Sequence, residues 1–283
     1  MIDLVGASLS RWSDDRYRPR NLLGLAEMSC ILNVYALPAL VPPEQLSDGT
    51  AVVIDVLRAS TTIVHALEAG AREVLPCQDI EKAHLLASQY PANQIVLGGE
   101  RGGLLIEGFD LGNSPSEYTP FSVGEKTVIF TTSNGTQAIV KCRDARRVLI
   151  GAFVNVTAVL EQLLAEECVH LVCAGTNGDY SRDDILLAGM LVERLQRQSG
   201  LIYRMNAQAL TAKENWLSSF TVPAAVGGEP LPAERLAKEL RSSAGGKNLV
   251  SVGLEQDILT AAQIDQFAVV PKLVAGEMRI VAT

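Results

Sequence analysis

Residues 51–62 read AVVIDVLRASTT, and their order of apolar run, acid, base and hydroxyls decides the fold. Residues 51–57 form an unbroken apolar run apart from Asp55, as expected of a strand covered on both faces in the middle of a parallel sheet. Asp55 and Arg58 stand at its far end, and Ser60 and Thr61 turn the chain into a helix, with Ser60 able to cap it. A carboxylate at the end of an apolar strand is costly to bury unless it is paired, hydrogen-bonded or bound to a cation. The charges therefore call for a partner elsewhere in the chain.

The same pattern recurs outward from this stretch. Strands are predicted at 51–57, 73–76, 94–98, 127–132, 147–152 and 168–174, with helices beginning near Ser60, Asp79, Asn134, Asn155 and Arg182. Such a βαβ series predicts an α/β fold: a three-layer αβα arrangement with a mainly parallel sheet, whose ligands sit outside the carboxyl ends of the strands. The third strand is followed not by a helix but by GGERGGLLIEGFDLGNSPSEYTP, residues 98–120. This segment is too long and too rich in Gly and polar groups for a mere connection, and long ordered loops on such scaffolds usually carry function.

Beyond residue 198 the pattern weakens. TVPAAVGGEPLP at 221–232 is turn-rich, and it precedes an amphipathic helix, a Gly-containing link and a final apolar segment, 267–281, broken by Pro271. The chain is thus divided into an N-terminal extension (1–30), loosely ordered and with Met28 as an alternative start, an α/β catalytic core (31–200) and a smaller C-terminal α/β subdomain (201–283) that completes the core or covers the site.

Composition narrows the function. The 283 residues carry a formal charge of −8, and no basic cluster is longer than RDARR at 143–147, which argues against a surface for nucleic acid. Five cysteines (Cys30, Cys77, Cys142, Cys168 and Cys173) form no CxxC or Cys/His zinc pattern, so a reducing, cytoplasmic setting is expected. No signal-peptide core and no apolar run of membrane length are present, so no membrane partner is expected either. His65, His84 and His170 lie within apolar patterns and read as packed residues. A homodimer is held as an expectation, with the apolar C-terminal segment either packed on the core or part of its face.

Four strand ends carry the chemistry: Asp55 with Arg58, Ser60 and Thr61; Glu100 and Arg101 in GGERGG; Thr132, Ser133, Asn134, Gly135 and Thr136 in TTSNGT; and Gly175 and Thr176 leading to Asp183 and Asp184. Hydroxyl- and Gly-rich turns that open helices are natural anion sites, because free backbone N–H groups and the helix dipole point at the loop. Taken alone, such a turn reads first as an ordinary N-cap, and Asp183 and Asp184 as favourable first-turn charge. Convergence of four such ends on one edge favours a site. Asp55 and Glu100, with Asp110 or Asp184 as further candidates, are oxygen donors of the kind Mg²⁺ takes, usually one or two carboxylates with water and phosphate. Ion pairs with Arg58 or Arg101 are the alternative. Several familiar phosphatase and hydrolase templates are missing: Leu57 stands where DxD needs its second acid, no Cys is followed by Arg six positions later, and GxSxG and GxxxxGK[ST] do not occur.

Four motifs in register, VVIDVLRASTT, GGERGGLLIEGFDLGNSP, FTTSNGTQA and VCAGTNGDYSRDD, resemble the 2-phosphosulfolactate phosphatase family from about residue 33 to 271. The resemblance implies Mg²⁺-dependent hydrolysis of 2-phospho-3-sulfolactate to sulfolactate and phosphate, a coenzyme M biosynthesis step. It implies a metal on Asp55 and Glu100, possible help from Asp110, and Arg58 and Arg101 facing a small anionic phosphorylated substrate. Neutral donors would be Ser60, Thr61, Asn113, Ser114, Thr132, Ser133, Asn134, Gly135, Thr136, Gly175 and Thr176. The expected catalytic group is Asp55, Arg58, Ser133 and Asp184, with water or a side chain (Asp55 or Ser133) as nucleophile. Two rival readings stand beside it: a phosphatase of another phosphorylated hydroxy acid, and a non-catalytic binder of an anionic metabolite.

Overall fold

In the computed structural model, residues 30–42, 44–228, 230–274 and 276–283 are described; the predicted extension, apart from Cys30, lies outside them. The strands are β1 (Cys30–Tyr35), β2 (Thr50–Ile54), β3 (Glu73–Pro76), β4 (Ile95–Arg101), β5 (Leu104–Leu105), β6 (Thr127–Thr131), β7 (Arg147–Gly151), β8 (Cys168–Cys173), β9 (Tyr203–Met205), β10 (Pro271–Leu273) and β11 (Ile280–Ala282). The helices are α1 (Ala59–Glu68), α2 (Ile80–Ala87), α3 (Pro120–Val123), α4 (Gly135–Cys142), α5 (Val156–Leu163), α6 (Arg182–Gln198), α7 (Ala207–Ser219), α8 (Val222–Ala225), α9 (Ala233–Arg241), α10 (Ala244–Ser251) and α11 (Gln256–Ala261).

All eleven strands join one sheet in the order β5-β4-β6-β3-β11-β10-β7-β2-β8-β1-β9. Two parallel blocks make it up, β4-β6-β3 and β7-β2-β8-β1-β9. Between them sits β10–β11, antiparallel to each other, to β7 and to β3. The sheet is therefore mainly parallel, as the βαβ series predicts, and the final apolar segment is packed in its middle.

The apolar run of β2 explains the layering. Val52 and Ile54 face a core formed with Val156, Val159 and Leu160 of α5, Leu187 and Leu191 of α6 and Trp216 of α7. Ala51 and Val53, pointing the other way, meet Ile63 and Leu67 of α1 and Ala138 and Ile139 of α4. Period-2 alternation thus feeds two cores, which is why no polar residue interrupts the strand. Each fully buried Val, Ile or Leu contributes roughly 1.5–3 kcal/mol, whereas an exposed pair such as Lys82–Asp79 adds about 0–1 kcal/mol. The layers, not the surface charges, hold the fold.

The predicted strands and helices are found with three differences: β4, expected to end at residue 98, runs on to Arg101 and pairs with β5, so the segment 98–120 is a loop only in part. The strand foreseen at 51–57 ends at Ile54 because the Asp55 N–H leaves the ladder for Ser60 Oγ, 2.9 Å away. β1 was not foreseen as a strand, since Asn33 interrupts its apolar run; in the fold that side chain donates to Tyr35 Oη at 3.3 Å, inside the sheet between β8 and β9.

Candidate active site

The carboxyl ends of β2, β4, β6 and β8 open onto one cleft. Asp55, Arg58, Glu100, Asn113, Ser133, Asn134 and Thr176 line it, with Gly102 and Gly103 at one side, Asn177 beside Thr176, and Gly245, Asn248 and Leu249 of α10 as its far wall. Its volume is only about 50 Å³, room for a few waters, because α10 lies close above the Gly103 loop.

Asp55 is 6% exposed, and Oδ1 accepts the N–H of Ala59 at 3.2 Å in the first turn of α1. Burial, and then the nearby Asp183 and Glu100 carboxylates, push its carboxyl up to about 7. Against it lies the first residue of α4, Gly135, where any side chain would intrude on Asp55 Oδ2. TTSNGT thus brings the N-terminus of α4 hard against the acid at the end of β2, although four strands lie between β6 and β2 in the sheet.

Glu100 ties two loops together. Oε1 accepts Ser133 N–H at 2.7 Å, and Oε2 accepts Gly103 N–H at 2.7 Å and Ser133 Oγ–H at 3.3 Å. Gly99 before it adopts φ +143°, and a Cβ there would overlap the Thr131 carbonyl, so only glycine lets β4 approach β6 this closely. Arg58 is 4% exposed; Nη1 pairs with Asp257 Oδ2 at 2.7 Å and Nη2 donates to the Gly103 carbonyl at 2.9 Å.

Asn113 is 5% exposed and lines the cleft together with two carboxylates and an arginine, and its Oδ1 is buried without a hydrogen-bond partner. A neutral oxygen left unpaired beside Asp55 and Glu100 suits a hard cation, which takes carboxylate, amide, water and phosphate oxygens. Among the described residues no three His, Cys, Asp or Glu side chains come together as a ligand group. A cation here would therefore rest on two carboxylates and neutral oxygens.

Other expected residues stand just outside the cleft. The Asp110 carboxylate accepts Leu97 N–H at 2.8 Å and fastens the 98–120 loop to β4. Arg101 turns away, donating to the Glu100 carbonyl at 2.7 Å and to Thr131 Oγ1 at 2.8 Å. Ser60 and Thr61 bond within their own turn, and Thr132 and Thr136 exchange bonds with each other, Thr132 N–H to Thr136 Oγ1 at 3.0 Å and Thr136 N–H to Thr132 Oγ1 at 3.2 Å. Asp184, 1% exposed, lies behind the cleft, taking Val56 N–H at 2.8 Å and Gly175 N–H at 3.0 Å. Burial and the adjacent Asp183 hold its carboxyl well above the usual range. Gly175, at φ +68°, shapes the turn that presents Thr176, whose N–H and carbonyl both bond to Asp179.

Three participants escaped the sequence reading. Asp257 looks like ordinary first-turn charge in LEQDILTAA, Asn248 like a helix surface residue, and Asn177 like a turn residue; only the fold brings them to the cleft or its arginine.

The model of the 2-phosphosulpholactate phosphatase family matches residues 35–276, which include every residue lining this cleft. The chain belongs to the 2-phosphosulfolactate phosphatase family. Relatives named as probable 2-phosphosulfolactate phosphatases include one from Thermotoga maritima, 40% identical over 228 residues (80% of this chain and 90% of the relative). Others come from Deinococcus radiodurans, 39% identical over 239 residues (83% and 92%), and Parasynechococcus marenigrum, 38% over 240 residues (84% and 93%). The phosphosulfolactate phosphatase family is one of phosphoric monoester hydrolases, and this chain is an enzyme of that class. No described helix is long and apolar enough to cross a membrane.

Proposed function

We propose that this protein hydrolyses 2-phospho-3-sulfolactate to 3-sulfolactate and phosphate in the presence of Mg²⁺, as a cytoplasmic step of coenzyme M-type metabolism. The observation that carries the reading is a cleft in which Asp55, Glu100 and the unpaired Asn113 oxygen sit with Arg58 at the opening of α4. Asp55 and Glu100 would hold the ion, with Asn113 as a neutral donor. Bound there, Mg²⁺ would offset charge on the phosphoryl oxygens, which is most of what such catalysis requires.

The chain's own groups do the rest. The Arg58 guanidinium presents planar donors to an anionic oxygen pair. Ser133 and Asn134, at the N-terminal end of α4, face the cleft where the dipole favours the transferred phosphate. Water attack and attack by the Asp55 carboxylate or Ser133 Oγ are the two routes this site allows. At about 50 Å³ the cleft holds a few waters, so it must widen to admit a three-carbon ester.

The test is phosphate release by purified protein after metal removal and again with Mg²⁺ restored, on phosphosulfolactate beside a panel of phosphorylated hydroxy acids. Mg²⁺-dependent release selective for phosphosulfolactate is expected. Preference for another acid would reassign the substrate, and no release from any would favour a non-catalytic binder.

A further inference from the structure

We infer that Asp257 is a positioning residue for this reaction, acting through Arg58; this rests on the reading of Arg58 as a substrate-binding group. Asp257 comes from α11, 199 residues away from Arg58, and is 3% exposed. Its two oxygens have separate tasks. Oδ2 accepts Arg58 Nη1 at 2.7 Å, and Oδ1 accepts Ser114 Oγ–H at 2.6 Å, so the carboxylate is itself held in one orientation by the 98–120 loop. On its other side the guanidinium is fixed by the Gly103 carbonyl at 2.9 Å. With both terminal nitrogens taken, the plane of the fork is set before any substrate arrives, and its remaining donors are aimed rather than free to swing.

Stability alone gives little reason for such a pair, because well-packed apolar side chains usually do as well as a buried ion pair. Its position does give a reason: Arg58 lines the cleft, Asp257 does not, and the C-terminal helices meet the β2–α1 turn through this contact. A charge that merely neutralised Arg58 would weaken its hold on anions. A charge that orients it strengthens that hold.

A double-mutant cycle separates these roles. Binding of inorganic phosphate, with Mg²⁺ present, is measured by calorimetry for wild type, Asp257→Asn, Arg58→Lys and the double variant, beside kcat/KM. Asp257→Asn is expected to weaken phosphate binding about tenfold when Arg58 is present and by less than about twofold in the Arg58→Lys background, as for residues acting as one unit. Equal losses in both backgrounds, or binding unchanged or tightened by Asp257→Asn, would overturn the proposal. Should Asp257→Asn not fold, Ser114→Ala releases the same carboxylate from its other anchor, and its smaller loss must likewise vanish in Arg58→Lys. Phosphate binding is read without turnover, so a wrong substrate leaves this test intact.

Discussion

Gly135 of α4 packs directly against Asp55: a Cβ at residue 135 would stand 2.6 Å from Asp55 Oδ2. In a helix interior Gly→Ala gains about 0.8–1 kcal/mol, and at Gly135, the first residue of α4, propensity alone would still favour the change. Here the added methyl meets Ala59 Cβ at 2.5 Å and the buried Asp55 carboxylate instead. We expect folded protein with phosphate release reduced at least about tenfold, since small misplacement at a reacting centre is costly. Near-normal activity with a raised Tm would mean that the contact has no catalytic bearing.

Arg58→Lys keeps the charge but cannot bridge Asp257, the Gly103 carbonyl and a substrate oxygen pair together. A charge-assisted hydrogen bond is worth about 1.5–3 kcal/mol, so kcat/KM should fall by roughly tenfold to a hundredfold. Steady-state kinetics give the answer, and an unchanged KM and kcat would reduce Arg58 to an ion-pair partner of Asp257.

Asp55→Asn should abolish Mg²⁺-dependent turnover while leaving the circular dichroism spectrum intact, because an amide is nearly isosteric but brings no negative charge to offset that of the cation. Calorimetric titration with Mg²⁺ should lose its binding heat in the same variant. Retained heat with lost turnover would keep Asp55 in the chemistry and remove it from the metal.

Asp184→Asn is a contrasting case. One of its oxygens becomes an NH₂ group facing either Val56 N–H or Gly175 N–H, leaving a buried donor unpaired at a cost of about 1–3 kcal/mol. Denaturant unfolding should register that loss, while kcat of the folded fraction changes far less than in Asp55→Asn. The reverse order of effects would return Asp184 to the reacting group.

Metal-free protein should lose the stability that Asp55 supplies as pH rises. Asp55 has a folded pKa of about 7 against about 3.9 in an unfolded chain. Between those values the folded state binds the extra proton, so this contribution falls from about pH 4 to 7 and then levels off. In EDTA the share of stability that Asp55 supplies should therefore be larger at pH 5.5 than at pH 7.5, against an opposite share from His65, whose burial lowers its pKa to about 4. Asp55→Asn should remove the first share and leave the second, so Tm at pH 7.5 relative to pH 5.5 should be higher in the variant than in wild type, and Mg²⁺ at pH 7.5 should raise the wild-type Tm by binding the folded state. The same change of Tm with pH in both proteins would contradict the raised carboxyl.

The core strands and the cleft's acids were readable because their signals are local. The apolar run of β2 and the glycine turns after β4, β6 and β8 mark strand ends without knowledge of their neighbours. β1 was harder to see because Asn33 breaks its run, and Asp257 harder still, because its role is defined by an arginine 199 positions away. Proximity also sorted residues of similar appearance. Asp55 and Asp184 are both buried acids at helix openings, yet one faces the cleft and the other clips two loops from behind.

The hairpin of β10 and β11 has a consequence for how the chain is made. It separates β3 from β7, strands synthesised long before it, and until it docks both present open edges in the interior of the future sheet. Unpaired edges invite pairing with other chains, and contacts spanning this much sequence form late. During synthesis the two blocks therefore wait, exposed, for their joint, a period in which chaperone capture competes with aggregation.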